Sequence, residues 1–219
     1  MTRLLAQQAV RVVAVELDER LIPPLKEVLG GYTNVTVIQG DILSLPPASW
    51  GQPAGYLVVA NIPYYITSAL IRHLLETRPQ PARMVLTVQK EVAERICAGP
   101  GKLSLLALSV QVYGEPRLAA HIPSGAFYPP PQVDSAVVRI DLLPEPRIPL
   151  PLLDAFFRLA KAGFSQKRKN LKNALAGGMH WTSAQAEAFL AQAGIDSRRR
   201  AETLSIEEWH RLLATFNEG

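Results

Sequence analysis

Apolar positions recur along this chain with two different periods, and the change between them divides it. Over the first two thirds, short apolar runs of strand length appear at residues 10–17 (VRVVAVEL), 34–41 (NVTVIQGD), 55–62 (GYLVVANI) and 82–90 (ARMVLTVQK). They are rich in β-branched residues and nearly continuous, the pattern of strands in a sheet covered on both faces. Between them, residues 19–29, 67–76 and 90–97 carry helical spacing. Strand alternating with helix predicts a parallel, doubly wound α/β sheet. Two later strands, around 116–122 and 135–142, have no clear helix between them and are expected as an antiparallel pair at the end of that sheet.

Residues 144–151 (PEPRIPLP) hold four prolines in eight positions, which predicts a stiff linker and a domain boundary. Beyond it the period is that of helices, at about 152–162, 167–175, 183–193 and 205–216. Gly163, Gly177-Gly178 and Gly194 stand where those helices would stop, and Ser183 and Ser205 where two of them would be capped.

Length and composition narrow the class. A chain of 219 residues accommodates one large domain, or a core domain with a small appendage. Its balance of 48% hydrophobic and 19% charged residues is that of a soluble globular protein. No apolar run approaches the roughly 20 residues of a membrane span, and residues 1–8 lack the apolar core of a signal peptide. The one cysteine, Cys97, excludes an intramolecular disulfide and fits a reducing cytoplasm. The histidines are scattered, without metal-ligand spacing.

The net charge of +4 matters less than its placement. Residues 155–186 contain no acid, yet hold Arg158, Lys161, Lys167, Arg168, Lys169 and Lys172. A second cluster follows at Arg198, Arg199 and Arg200. Such one-sign fields suit a polyanion; a solvated helix face would carry the same charges.

The sharpest chemical signal is Asn61-Ile62-Pro63-Tyr64, directly after an apolar strand. In open α/β sheets, ligands sit at the carboxyl ends of strands. Methylating an adenine amino group is hard because its nitrogen lone pair is delocalised into the ring. A site helps by accepting both N–H hydrogens, which favours a tetrahedral nitrogen with its lone pair available to a methyl donor. The Asn61 side-chain oxygen and the next carbonyl, in a proline-stiffened turn, are two such acceptors, and Tyr64 offers a flat face for the base. A plain strand-ending turn would also use Asn and Pro. Two acids close other strands: Glu16, where a carboxylate can grip a ribose diol, and Asp41, where one can accept from an adenine amino group. Either could instead cap the segment that follows. Their order on successive strands, acid, acid, then Asn-Ile-Pro-Tyr, is more specific than its parts.

With these residues in place the chain resembles the small-subunit ribosomal RNA adenine N6-dimethyltransferases, the family whose loss gives kasugamycin resistance. The resemblance covers essentially the whole sequence. It rests on VVAVELDERL (12–21), GDIL (40–43), ANIPYYIT (60–67), VQKEVAERI (88–96), AFYPPPQVDSAVVRI (126–140), FSQKRKNLKNAL (164–175) and RRRAETLS (198–205). It implies a Rossmann-like class I methyltransferase fold over residues 1–145 and a small helical RNA-contacting domain over 146–219. It implies S-adenosylmethionine as cofactor, its ribose on Glu16, its adenine on Asp41 and the Ile42 backbone, with Asn61 also beside it. Asn61 and Tyr64 would hold the target base, and Phe127 would stack on its other face or shape the pocket mouth. Lys167, Arg168, Lys169, Lys172 and Arg198 to Arg200 would meet RNA phosphates. The implied reaction is two successive methylations on each of two adjacent adenines near the 3′ end of small-subunit RNA. It would take place in the cytoplasm during ribosome biogenesis, on the RNA or a pre-30S particle, by an enzyme monomeric when complete and using neither metal nor membrane.

One departure stands beside the match. Family members carry a first strand and a glycine-rich loop ahead of the helix that reads here as residues 2–8, and this sequence has no G-x-G-x-G. Gly99-Pro100-Gly101 follows a helix rather than a strand and is no substitute. The sequence therefore predicts an unpaired edge on the strand at 10–17 and weak hold on the methionine end of the cofactor. Two alternatives follow. The large-subunit RNA adenine dimethyltransferases of macrolide resistance share the chemistry, but RRRAETLS and the long helical tail favour the small-subunit type. A non-catalytic RNA-binding assembly factor would explain the absent loop, but not the intact Asn61 and Tyr64.

Overall fold

The computed structural model describes residues 1–217. In chain order they form α1 (Thr2–Ala6), β1 (Val12–Glu16), α2 (Ile22–Leu29), β2 (Val35–Gln39), β3 (Leu57–Asn61), α3 (Thr67–Glu76), β4 (Arg83–Gln89) and α4 (Lys90–Ile96). These are followed by α5 (Leu105–Gln111), β5 (Gly114–Ile122), β6 (Ser135–Leu142), α6 (Leu153–Phe164), α7 (Leu171–Met179), α8 (Ser183–Gln192) and α9 (Ile206–Asn217). None of these helices is long and apolar enough to cross a membrane. The chain gathers into two compact units. One holds Met1–Tyr56 and Ala69–Pro81; the other holds Leu57–Ser68 and the chain from Ala82 onward.

In the first unit β1 and β2 pair in parallel, from Val12 opposite Val35 to Glu16 opposite Gln39. The expected helix at 19–29 begins as a 3-10 turn, Glu19–Leu21, and becomes α-helical at Ile22, where Pro23 and Pro24 occupy the first turn. Proline is tolerated there because the first helical N–H groups have no intrahelical acceptor. The Asn34 side-chain amide donates to the carbonyls of Ala6 and Ala9, both at 2.8 Å, and so ties the end of α1 to the start of β2. Among the described residues β2 is the one strand that pairs with β1.

In the second unit the strands lie in the order β3-β4-β6-β5. The pair β3-β4 is parallel, and β6 runs antiparallel to both β4 and β5. The predicted antiparallel end of the sheet is thus present. Inner strand β4 alternates strictly, with Met84, Leu86 and Val88 fully buried. Edge strand β3 leaves Leu57 and Val59 exposed, so the expected cover on both faces fails at this edge. At the other edge β5 takes Pro116 and a bulge between Leu118 and Ala120, both tolerated where one side of a strand has no ladder to complete. Helix α5 escapes prediction from periodicity because LLALSV is apolar all round. Its signal is Ser104, whose hydroxyl accepts the Ala107 N–H at 3.1 Å.

The proline-rich segment runs within this same unit. Leu143 N donates to Tyr113 O at 2.9 Å, Arg147 N to Val112 O at 2.8 Å, and Ile148 is fully buried. Past it, Phe156, Leu159, Trp209, Leu212 and Leu213 form a closed apolar core, with Phe164 stacked on Trp209 at a centroid distance of 5.6 Å. Only Gly194, at φ +67°, ends a helix as expected. Gly163 lies inside α6, and Gly177 and Gly178 inside α7. A Cβ on Gly163 would come within 2.5 Å of the Trp209 ring, and one on Gly178 within 2.5 Å of the Ala162 backbone. Gly163 and Gly178 are there for close packing. Thr182, not Ser183, caps α8, through a capping box with Gln185. Ser205 caps α9 as expected, accepting from Glu208 N while Glu208 accepts from Ser205 N.

Candidate functional site

Each candidate residue stands at a strand end because the apolar run before it stops there. In the first unit Glu16 is the last residue of β1 and Asp41 lies two residues beyond β2. The two ends are linked by a 2.9 Å hydrogen bond from Gly40 N to Glu16 O. The half-buried Glu16 carboxylate accepts the Asp18 N–H through Oε1 at 2.9 Å, and its Oε2 has no hydrogen-bond partner among the described residues. Asp41 is exposed; Oδ1 accepts Leu43 N–H at 2.9 Å, and Ser44 Oγ lies 3.4 Å from Oδ2. It therefore does cap the next turn, and its second oxygen keeps capacity for another donor. Ile42 follows directly and is half-buried.

In the second unit Asn61 ends β3 opposite Thr87 of β4. The ladder continues one step further, with Ile62 N donating to Thr87 O at 3.2 Å while the Ile62 side chain is buried. Pro63 then turns the chain into the 3-10 turn Tyr64–Ile66. Asn61 is exposed, and its side-chain amide has no hydrogen-bond partner among the described residues. Tyr64 is half-buried, with its hydroxyl 2.7 Å from Ser135 Oγ. Phe127, also half-buried, follows the turn Ser124–Ala126 and donates its N–H to Ser124 O at 3.2 Å. That turn is fastened by Ser124 N–H to Asp134 Oδ1 at 2.9 Å, a bond that holds the Asp134 carboxyl below the usual range. Asp134 and Ser135 lie in the segment AFYPPPQVDSAVVRI that carries the resemblance, but nothing in the sequence assigns either a role.

The basic residues divide by what they touch. Lys167, Arg168 and Lys169 are exposed in the segment before α7, with no ion pair among the described residues. The helix expected to begin at 167 starts at Leu171, because the Asn170 side chain caps it from Asn173 N. Leu171 N donates to Arg199 O at 2.6 Å, which brings the two basic clusters together. Lys167, Lys169 and Arg200 line one small cleft of about 20 Å³. Lys172 pairs with Glu187 at 2.8 Å, and Arg198, although largely exposed, pairs with Asp196 at 3.1 Å. Arg200 lies 3.7 Å from Glu202. Arg199 differs from its neighbours: its guanidinium binds both oxygens of Glu208, the Thr203 carbonyl and the Thr203 hydroxyl. Every nitrogen of that fork has an internal partner, so Arg199 departs from the expected phosphate contact.

Comparison with known proteins shows the family. The family model described as "Ribosomal RNA adenine dimethylase" matches residues 1–218. The chain is 47% identical to a ribosomal RNA small subunit methyltransferase A of Dehalococcoides mccartyi, over 100% of this chain and 76% of that protein. It is 40% identical to the protein of the same description in Moorella thermoacetica, over 99% of this chain and 78% of that one. Among solved structures, a dimethyladenosine transferase from Plasmodium falciparum superposes with a TM-score of 0.82 at 26% identity, covering 98% of this chain and 84% of that one. The 23S rRNA methyltransferase ErmE gives a TM-score of 0.76 at 28% identity, over 99% of this chain and 86% of its own.

Proposed function

Because the chain belongs to the ribosomal RNA adenine dimethylase family, we propose that it methylates N6 of two adjacent adenines near the 3′ end of small-subunit ribosomal RNA, twice each, in the cytoplasm during ribosome biogenesis. The observation that carries this reading is the turn after β3, where the exposed Asn61 amide is left free while the chain beneath it is held by Ile62 N and the Tyr64 hydroxyl.

S-adenosylmethionine, when bound, supplies an electrophilic methyl group on a sulfonium centre. Glu16 would receive the ribose through its free Oε2, and Asp41 with the Ile42 backbone the cofactor's adenine. Asn61 acts on the target base. Its Oδ1 and the following carbonyl accept the two N6 hydrogens, so the nitrogen lone pair leaves the ring system and becomes nucleophilic. The faces of Tyr64 and Phe127 hold the flipped base by stacking, at a cost in unstacking from its neighbours. Transfer leaves the thioether of the cofactor and a cationic methylated nitrogen, which gives up one proton to water; one N6 hydrogen then remains, and one acceptor suffices to hold it for the second transfer. Exposed Lys167, Arg168 and Lys169, with Arg198 and Arg200, supply the phosphate contacts; Lys172 contributes once released from Glu187.

The large-subunit alternative rests on the ErmE likeness, which at 28% identity is weaker than the 47% to a small-subunit methyltransferase. The test is direct. Unmethylated small-subunit and large-subunit RNAs are offered separately with radiolabelled S-adenosylmethionine. Label in dimethyladenine of the small-subunit RNA alone is the expected result, and label in large-subunit RNA would transfer the assignment.

A further inference from the structure

The two aromatic residues of the base site are fastened to neighbouring residues at the start of a single strand. Ser135 opens β6, is fully buried, and stands in register with Gln89 of β4 on one side and Ile122 of β5 on the other. It is therefore fixed by two ladders. Its hydroxyl lies 2.7 Å from that of Tyr64, the usual separation of an O–H···O bond. Asp134, just before it, accepts Ser124 N–H at 2.9 Å, approaches His121 Nε2 at 3.2 Å, and receives Lys90 N–H on its carbonyl at 3.0 Å. Ser124 in turn accepts the Phe127 N–H.

We infer that Asp134 and Ser135 are positioning residues, which set the tilt of the Tyr64 ring and the placement of Phe127 so that the two can hold one base. The inference rests on the reading of Tyr64 and Phe127 as base-holding groups. A half-exposed phenol could satisfy its hydroxyl with water, but the buried Ser135 hydroxyl could not, so the bond satisfies Ser135 as well as holding the ring. What it fixes is the position of the ring's tip, and with it the tilt of the ring as a whole. Stacking depends on the angle of a flat face, and misplacement of a reacting group by about 1 Å can cost as much as 10²-fold in rate.

Two readouts test this on the full chain: methyl transfer to small-subunit RNA, and the fluorescence of an RNA fragment with 2-aminopurine at the target position, which stacking quenches without any cofactor. Ser135→Ala and Tyr64→Phe should each lower kcat about tenfold, leave the RNA KM within about twofold and weaken the quench, while the double variant does no worse than either. The melting temperature of Ser135→Ala should stay close to that of the parent, while Tyr64→Phe, which leaves the buried Ser135 hydroxyl without its partner, should melt about 2–4 °C lower. Asp134→Ala should lower kcat and quench likewise, and Asp134→Asn, which keeps an oxygen for Ser124 N–H, should restore both. Unchanged kcat and quench in Ser135→Ala would overturn the inference, as would losses that multiply in the double variant. Tyr64→Ala separates the two levels. If it keeps full turnover and quench, the base-site reading itself fails; if it loses both while Ser135→Ala loses neither, only the positioning role does.

Discussion

At the scale of single residues, Asn61 makes the sharpest claim. Its amide is exposed and unengaged at the end of β3, an arrangement that serves no purpose in the fold. Asn61→Ala should therefore leave melting unchanged and slow methyl transfer by about 10²-fold or more, the cost of losing one preorganised polar group in an active site. RNA affinity should hold, because phosphate contacts dominate it; near-normal turnover in a methyl-incorporation assay would remove Asn61 from the mechanism. Arg199 makes the opposite case. Its pairing holds the Glu208 carboxyl below the usual range, the Arg199 hydrogen bond being the main cause. A carboxyl whose pKa is lowered by folding stabilises the fold at pH values above the ordinary carboxylate range, near 4.3, and that contribution fades as pH falls through the folded value. Arg199→Gln should lower the melting temperature at neutral pH by about 2–4 °C, the shift that ~1 kcal/mol produces in a domain of this size. The difference from the parent should shrink below about pH 4. Sequence could place Asn61, since a strand end and a tetrapeptide announce it. It could not separate Arg199 from Arg198 and Arg200, because which of three adjacent guanidiniums turns inward is decided by Glu208, nine residues away, and by the turn at Thr203.

At the scale of elements, periodicity located the strands well because each alternates or runs apolar over a short, bounded stretch. It failed where spacing carries no information, as in α5, which is apolar on every side. It also misread glycine. A glycine in a helical stretch signals either a stop or a close approach, and only the partner helix tells which. Gly177 and Gly178 give a controlled comparison. A Cβ on Gly178 would sit 2.5 Å from the Ala162 Cα and 3.0 Å from its carbonyl oxygen, so backbone would have to move. Gly178→Ala should destabilise by about 1–3 kcal/mol through overpacking. A Cβ on Gly177 meets only the end of the Gln166 side chain, at 2.8 Å, which can swing away. Gly177→Ala should then be neutral, or stabilising by up to ~1 kcal/mol from helix propensity. Chemical denaturation of the two variants decides the matter; equal effects would mean that α6 and α7 do not pack as closely as described.

At the scale of the whole molecule, the question is which of its positive charges RNA meets. A net charge of +4 is too small to attract a polyanion by itself, so the affinity must come from local concentration of charge. Half of the ten cations of the helical region have acids beside them: Lys172 with Glu187, Arg198 with Asp196, Arg199 and Arg211 with Glu208, and Arg200 with Glu202. Lys167, Arg168 and Lys169 have no ion pair among the described residues, and they need break none to meet a phosphate. Each such contact releases condensed counterions, so log affinity falls linearly with log salt, by about 0.7 per contact on single strands and about 0.9 on duplex. Replacing all three with Gln should flatten the slope by about 2 to 2.7 and weaken binding most at low salt. Arg199→Gln, which removes an equal formal charge from a group already committed to Glu208, should leave the slope nearly as it was. Titration of small-subunit RNA at several salt concentrations compares the two on one axis. An unchanged slope in the triple variant would make residues 167–169 a solvated surface, and a large change in Arg199→Gln would mean that its internal pairing gives way when RNA binds.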